Sequence, residues 1–388
     1  MQKFFIGVGI LVALALFVIR PIAVRMQDDS MNIVIEHAPY IISPAAAQLH
    51  ATLIVGDWHA DTSLWERSMA GRHDFGHLDL RRMQEGNLGL QMFTSVTKSP
   101  SGQNYESNDA STIDSVTTLA IAQLWPIATW SSLKERALFQ AKRVHHLAKD
   151  HPQDFTVILT KSNLKAWAVA RESNPDFVGG LIGTEGSHAL EGDVANIDVL
   201  FNAGFRMMSL QHFFDNKLGG SLHGTSGEGL TKFGKQALEM MQAKDIIVDV
   251  SHSSEAVVSD VLAQSNKPLV VSHTGFRGHC DTPRNISDEL MQRIAEGGGI
   301  IAVGFWDAAV CGTSPASIVS AIEYGVKLVG EDHVSLGSDY DGTVSTSFDA
   351  SELAVLTQAM LDRGMPEVVI RKVMGENMAR FLEKNLPD

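Results

Sequence analysis

The sequence predicts an α/β fold, a closed (β/α)8 TIM-type barrel preceded by an N-terminal hydrophobic anchor. Three observations predict it. Short apolar runs rich in β-branched residues alternate with amphipathic stretches eight times over about 330 residues, the repeat that a parallel barrel requires. Polar residues able to bind or titrate fall at the C-terminal ends of these runs, the rim on which such barrels build their sites. No G-x-G-x-x-G opens any of the helices, which disfavours the alternative, a doubly wound open sheet.

In order, the runs are LIVGDWHAD (53–61), LGLQMFTSV (88–96), FVGGLIGTEG (177–186), FRMMSLQH (205–212), IIVDVSHSS (246–254), PLVVSHT (268–274), GIIAVGFW (299–306) and HVSLGSDYDG (333–342). Near-continuous apolar character suits strands buried on both faces. Between them lie helix candidates such as SSLKERALFQAKRVHHLAKD, LTKFGKQALEMMQAKD, SSEAVVSDVLAQS, SDELMQRIAEGG and SPASIVSAIEYGVKLVG. The polar stretch 97–112 reads as a surface excursion after the second strand.

Residues 4–19 contain no charge, and apolar character resumes after Arg20. If Arg20 snorkels to the interface, the segment is long enough to span a bilayer. An uncleaved signal anchor is favoured over a cleaved signal peptide, which predicts an exported chain whose body lies in the periplasm or outside the cell. The divisions expected are 1–24 anchor or signal peptide, 25–50 connector and 51–388 the (β/α)8 barrel.

Of 388 residues, 44% are apolar and 20% charged, which fits a globular protein with a sizeable core. A formal charge of −14 with no basic stretch argues against general nucleic-acid binding. The two cysteines, Cys280 and Cys311, exclude a disulfide scaffold or a multi-cysteine zinc module. Sequence separation leaves open whether they pair.

His59 and Asp61 stand two apart at the end of the first run, so a strand would aim both at one space. Glu185 ends the third run, His212 the fourth, His252 the fifth and His273 the sixth, while Asp339 and Asp341 end the eighth. Singly, a strand-end histidine is more often a hydrogen-bonded loop residue than a ligand, and D-x-D is as often a turn. Four histidines and several acids at one end of successive strands weaken that explanation. His145, His146, His151 and His279 do not share the placement and read as surface or structural. Imidazole nitrogen and carboxylate oxygen without thiolate form a typical Zn²⁺ or Mn²⁺ environment. Three histidines and two carboxylates exceed one four-coordinate ion with an open position, and suit two ions sharing a carboxylate.

The ordered set H-x-D, E-G-x-H, D-V-S-H, S-H, R-N-I-S-D and G-S-D-Y-D-G, ending in GENMARFLE, resembles the membrane (renal) dipeptidase family, peptidase family M19, over residues 53–385. The resemblance implies a metallo-dependent hydrolase barrel with two zinc ions, other divalent ions such as Mn²⁺ being admissible. It implies His59, Asp61 and Glu185 on one ion, and Glu185, as the bridge, with His252 and His273 on the other. His212 is similar to the histidine that meets the substrate carbonyl and the oxyanion. Arg284 matches the arginine that holds the substrate's terminal carboxylate, and Asp339 the proton shuttle. The implied partner is a dipeptide, with a D-residue admissible on its C-terminal side, and a homodimer is left open.

Where the family usually has D-G-H-N-D this chain has DWHAD, and Gln211 stands where threonine is common, with Phe213 and Phe214 following. These departures bear on substrate preference more than on reaction type. The alternatives weighed are a metal-dependent amidohydrolase acting on N-acyl amino acids or lactones, and a ligand-binding homologue without turnover.

Overall fold

The computed structural model describes residues 19–388. Each of the eight runs forms a strand: β1 (Val55–Ala60), β2 (Leu88–Val96), β3 (Val178–Glu185), β4 (Phe205–Ser209), β5 (Ile247–Asp249), β6 (Val270–Thr274), β7 (Ile300–Val303) and β8 (Val334–Leu336). All pair in parallel with their sequence neighbours. Leu336 lies opposite Asp57, so β8 closes on β1 and the ring has no free edge. Closure rules out the open sheet. A further short strand, Phe155–Val157, pairs with the start of β3.

The five expected helices form at Leu133–Asp150, Lys232–Ala243, Glu255–Gln264, Asp288–Glu296 and Pro315–Val329. Four begin where a hydroxyl accepts from a first-turn N–H: Ser132, Thr231, Ser254 and Ser314. Their apolar faces pack on the outside of the strands. Inside the ring, buried side chains from β1 through β7, among them Trp58, Met207 and Ile300, meet Met378 and Phe381 of the helix Asn377–Asn385. Gly375 makes this close approach possible, because a Cβ there would lie 2.2 Å from the Ile54 carbonyl oxygen.

The membrane-anchored, exported reading is corrected here. Among the described residues no helix is long and apolar enough to cross a membrane. The run 4–18 lies outside the described residues, but Arg20, expected to snorkel, instead pairs with Glu66 at 2.6 Å. Residues 19–31 are helical, with Val24 buried and Arg25 paired with Asp74. Charges that would border a span are thus spent on the barrel. Ile33–Val34 then pairs in parallel with Ser345–Thr346, just beyond β8.

The excursion at 97–112 does more than cover surface. Ser99 and Asn108 are buried, and Tyr105 lines the mouth of the barrel. Cys280 and Cys311 are joined as a disulfide, tying the loop that carries Arg284 to the segment after β7.

Candidate metal centre and active site

Of the rim residues anticipated from the strand ends, all but Asp341 gather around Glu185. Its Oε1 lies 3.4 Å from His59 Nε2, 3.2 Å from His252 Nε2 and 3.3 Å from His273 Nε2. Its Oε2 lies 3.3 Å from His212 Nε2. Asp61 Oδ1 is 3.6 Å and Asp339 Oδ1 3.9 Å from His59 Nε2. All seven side chains are buried. Grouped by proximity, the donors form two sets, His59, Glu185, His273 and Asp339, and Glu185, His212 and His252. Glu185 is common to both, but the sets differ from the expected ligands: Asp61 falls in neither, and His212 and Asp339 fall within them.

Proton counting shows which way the imidazoles face. Ser272 Oγ donates to Asp249 Oδ2 at 2.7 Å, and therefore accepts from His59 Nδ1 at 3.1 Å and His273 Nδ1 at 2.9 Å. With the proton on Nδ1, a neutral ring turns its Nε2 lone pair toward Glu185. His59 Nε2 is buried without a hydrogen-bond partner, and His252 Nε2 and His273 Nε2 face each other at 2.9 Å. Among the described residues His252 Nδ1 has no partner, so no contact fixes that ring's tautomer, and donation from His252 Nε2–H to His273 Nε2 accounts for the 2.9 Å approach as well as a cation beside both does. Ligand bonds of about 2.0–2.1 Å in a tetrahedron give ligand–ligand edges of about 3.3 Å, close to the spacing around Glu185 Oε1. The donor set fits divalent metal ions.

Electrostatics agree. Burial holds His252 and His273 well below the usual histidine range, helped by Arg284 at His252 and by His59 at His273. Burial acts against Glu185 ionising, yet the surrounding imidazoles, His212 and His59 foremost, carry its carboxyl well below the usual value. Burial also disfavours a cationic His59, but Asp61 and Glu185 outweigh it and raise that imidazole. Burial, with Glu185, pushes Asp61 up to about 7. The carboxylates thus draw positive charge into the cluster, and a metal ion competes for it with protons.

Asp339 and Asp341 part company. Both have left-handed φ, 61° and 64°, a conformation that costs non-glycine residues about 1–2 kcal/mol. Gly342 leaves room for the Asp339 carboxylate, since a Cβ there would sit 2.0 Å from Asp339 Oδ1. Asp341 turns away to Arg67 Nη2 at 2.5 Å and accepts from Thr62 Oγ1 at 2.6 Å. It is structural and stands outside the cluster.

Arg284 is 1% exposed and lines the same cavity as Glu185 and Asp339. It donates to the carbonyls of Ser251 at 3.1 Å and His273 at 2.7 Å, and its guanidinium lies 5.2 Å from the Trp306 ring centre. Among the described residues it forms no ion pair with a carboxylate. His145, His146, His151 and His279 lie outside the donor sets.

Several residues were missed from sequence. Asp249 and Ser272 set the tautomers of His59 and His273; both lie within quoted motifs, three and one residues before a predicted ligand, where a buried polar group in a strand was the available signal. Asp57, two before His59, accepts from Ser338 N at 2.7 Å and from Gln91 Nε2 at 2.9 Å, anchoring the turn before Asp339. Tyr105 and His223, bonded through the Tyr105 carbonyl at 3.0 Å, sit in polar loops that carried no signal.

A closed parallel barrel with histidines and carboxylates buried together at its C-terminal rim defines a metal-dependent hydrolase. The chain belongs to the membrane dipeptidase family, peptidase family M19, whose model matches residues 44–386. It is 26% identical over 384 residues to dipeptidase ataJ of Aspergillus terreus (strain NIH 2624 / FGSC A1156), covering 89% of this chain and 87% of that one. It is 26% identical over 314 residues to dipeptidase verJ of Clonostachys rogersoniana, covering 79% and 75%. Among solved structures, the probable dipeptidase PvdM from Pseudomonas aeruginosa superposes with a TM-score of 0.73 at 20% identity, covering 88% of this chain and 98% of that one. A metallo peptidase from Rhodobacter sphaeroides, solved with a phosphinate mimic of the dipeptide L-Ala-D-Ala, gives 0.66 at 23% identity, covering 86% and 99%. The reaction class is metal-dependent dipeptide hydrolysis.

Proposed function

We propose that the site holds two zinc ions bridged by Glu185 and hydrolyses dipeptides bearing a free C-terminal carboxylate. Three imidazole nitrogens converging on one carboxylate oxygen, beside a buried arginine with no acidic partner among the described residues, carry this reading. When bound, the ions would supply an activated water and polarise the scissile carbonyl. His59, Asp61, Glu185, His252 and His273 would hold them.

The chain's own groups do the rest. Arg284 takes the substrate carboxylate in its free N–H fork and fixes the peptide's register over the cluster. Asp339 is raised well above the usual carboxyl range by burial, against the opposing His59. It accepts a proton at Oδ1 and returns it to the leaving amine. His212 keeps Nδ1–H on the Lys98 carbonyl at 3.2 Å, so donation from Nε2 to the developing oxyanion requires the imidazolium. Burial opposes that form more than Glu185 favours it, so the free site holds this imidazole below the usual histidine range. Likeness to the protein crystallised with an L-Ala-D-Ala mimic supports acceptance of a D-residue at the C-terminal position.

The full chain should be analysed for metal and assayed against L,L- and L,D-dipeptides, a dipeptide amide and N-acyl amino acids. Zinc near two per chain with hydrolysis confined to free dipeptides is expected. Less than one metal per chain, with no turnover after zinc addition, would overturn the reading. Preference for N-acyl amino acids would move the chain to the amidohydrolase alternative.

A further inference from the structure

The cavity above the metal cluster has two unlike ends. Arg284 follows β6. Leu64, Trp65, Val96, Val116 and Leu119 line the cavity from the segments that end β1 and β2 or follow them. In an eight-stranded ring β2 and β6 are diametrically opposed, so the cationic end and the apolar end face each other across the cluster. The apolar wall is completed from outside the family's matched region, which begins at residue 44. Gln27 and Met31, on the helical stretch 19–31, line the same cavity as Glu185 and Asp339.

This wall is fastened to the site. Asp28 Oδ1 meets Arg67 Nη1 at 2.5 Å, and the other arm of Arg67 holds Asp341. Asn32 donates to Asp28 Oδ1 at 2.8 Å and accepts from Thr343 N at 3.0 Å. All of Asp28, Asn32, Arg67 and Asp341 are buried. Met31 itself is 38% exposed, an apolar side chain at a pocket mouth that the core does not require.

We propose that Met31, presented by this N-terminal segment, is a specificity-determining residue that makes the site prefer dipeptides with a bulky apolar N-terminal residue. The inference rests on the dipeptidase reading. With the carboxylate on Arg284 and the scissile carbonyl over the cluster, the N-terminal side chain extends toward Leu64, Trp65 and Met31. Apolar pockets discriminate by roughly 10- to 200-fold per group filled.

The test compares kcat/KM for glycyl-, leucyl- and phenylalanyl-alanine in the zinc-loaded full chain, Met31→Asp and Met31→Leu. Calorimetric binding of phosphinate analogues bearing glycyl- or leucyl-type N-terminal residues gives a second readout. The unsubstituted chain should favour leucyl over glycyl at least about tenfold. Met31→Asp should collapse that ratio chiefly through KM and analogue affinity, and Met31→Leu should keep it. Equal use of glycyl and leucyl substrates, or a ratio unmoved in Met31→Asp, overturns the inference while leaving the dipeptidase reading intact. Failure of the unsubstituted chain to cleave any dipeptide overturns that reading, and the inference falls with it.

Discussion

Replacing Arg284 by methionine keeps an unbranched apolar stem and removes the guanidinium. At 1% exposure the lost charge is scarcely screened by solvent, so its full effect should reach the substrate. Two N–H groups are committed to the Ser251 and His273 carbonyls, which leaves part of the five-donor fork for a carboxylate. Removing one partner of a buried, hydrogen-bonded charge pair costs about 2–5 kcal/mol. At about 1.4 kcal/mol per tenfold, kcat/KM for a free dipeptide should fall roughly 30- to 4,000-fold. Stability should move less. Loss of two charge-assisted bonds is offset by relief of a buried cation, to which burial is already hostile. The assay is kcat/KM for a dipeptide and for its C-terminal amide, with thermal unfolding as the control for folding. The dipeptide-to-amide ratio should collapse toward one. A folded variant that keeps the original ratio would refute the assignment of Arg284 to the substrate carboxylate.

Three other outcomes are expected. Asp339→Asn should lower kcat by about 10²- to 10⁴-fold with KM little changed, and steady-state turnover at the original level would remove Asp339 from proton transfer. Arg67→Met leaves the buried carboxylates of Asp28 and Asp341 unpaired and should cost about 3–5 kcal/mol in urea unfolding near neutral pH. Burial would raise the Asp341 carboxyl, but Arg67 and His77 hold it below the usual range. Its contribution is therefore complete above the ordinary carboxylate pKa of about 4 and is lost only as pH falls through the depressed native value. The deficit of Arg67→Met should accordingly shrink on acidification, and a deficit constant with pH would contradict the pairing. Replacing Cys280 and Cys311 by serine opens a loop of 31 residues. Chain entropy puts that cost at about 3–4 kcal/mol, and unchanged unfolding would show that the link does not constrain the unfolded chain.

The eight strands were legible because each is buried on both faces and bounded by turn residues, so its apolar run is uninterrupted. The metal-ligand candidates were legible for a related reason: a parallel barrel puts every strand's C-terminus on one rim, which turns sequence position into spatial proximity. Residues whose role depends on meeting another element were not. Ser272 carries information only because Asp249 from β5 takes its proton, and Tyr105 only because its loop folds back over the mouth. The segment after residue 19 misled more actively. Hydropathy reads Arg20 as a charge snorkelling out of a span, whereas its partner is Glu66, 46 residues along the chain.

His59-x-Asp61 and Asp339-x-Asp341 have the same spacing and opposite outcomes. Period-two alternation holds only while the backbone stays extended. Asp61 leaves β1 with φ of −97°, and its carboxylate stays beside His59. Beyond β8 the chain enters left-handed turns at both aspartates, so Asp339 faces the cluster and Asp341 faces Arg67. The strain at these residues is offset by what the turn joins. One side delivers the carboxylate proposed to move the proton. The other, through Arg67 and Asp28, holds the helix that brings Met31 to the pocket. A substitution at Asp341 should therefore disturb both the proton-transfer geometry and the choice of N-terminal residue, although Asp341 faces neither the metal-ligand cluster nor the apolar wall.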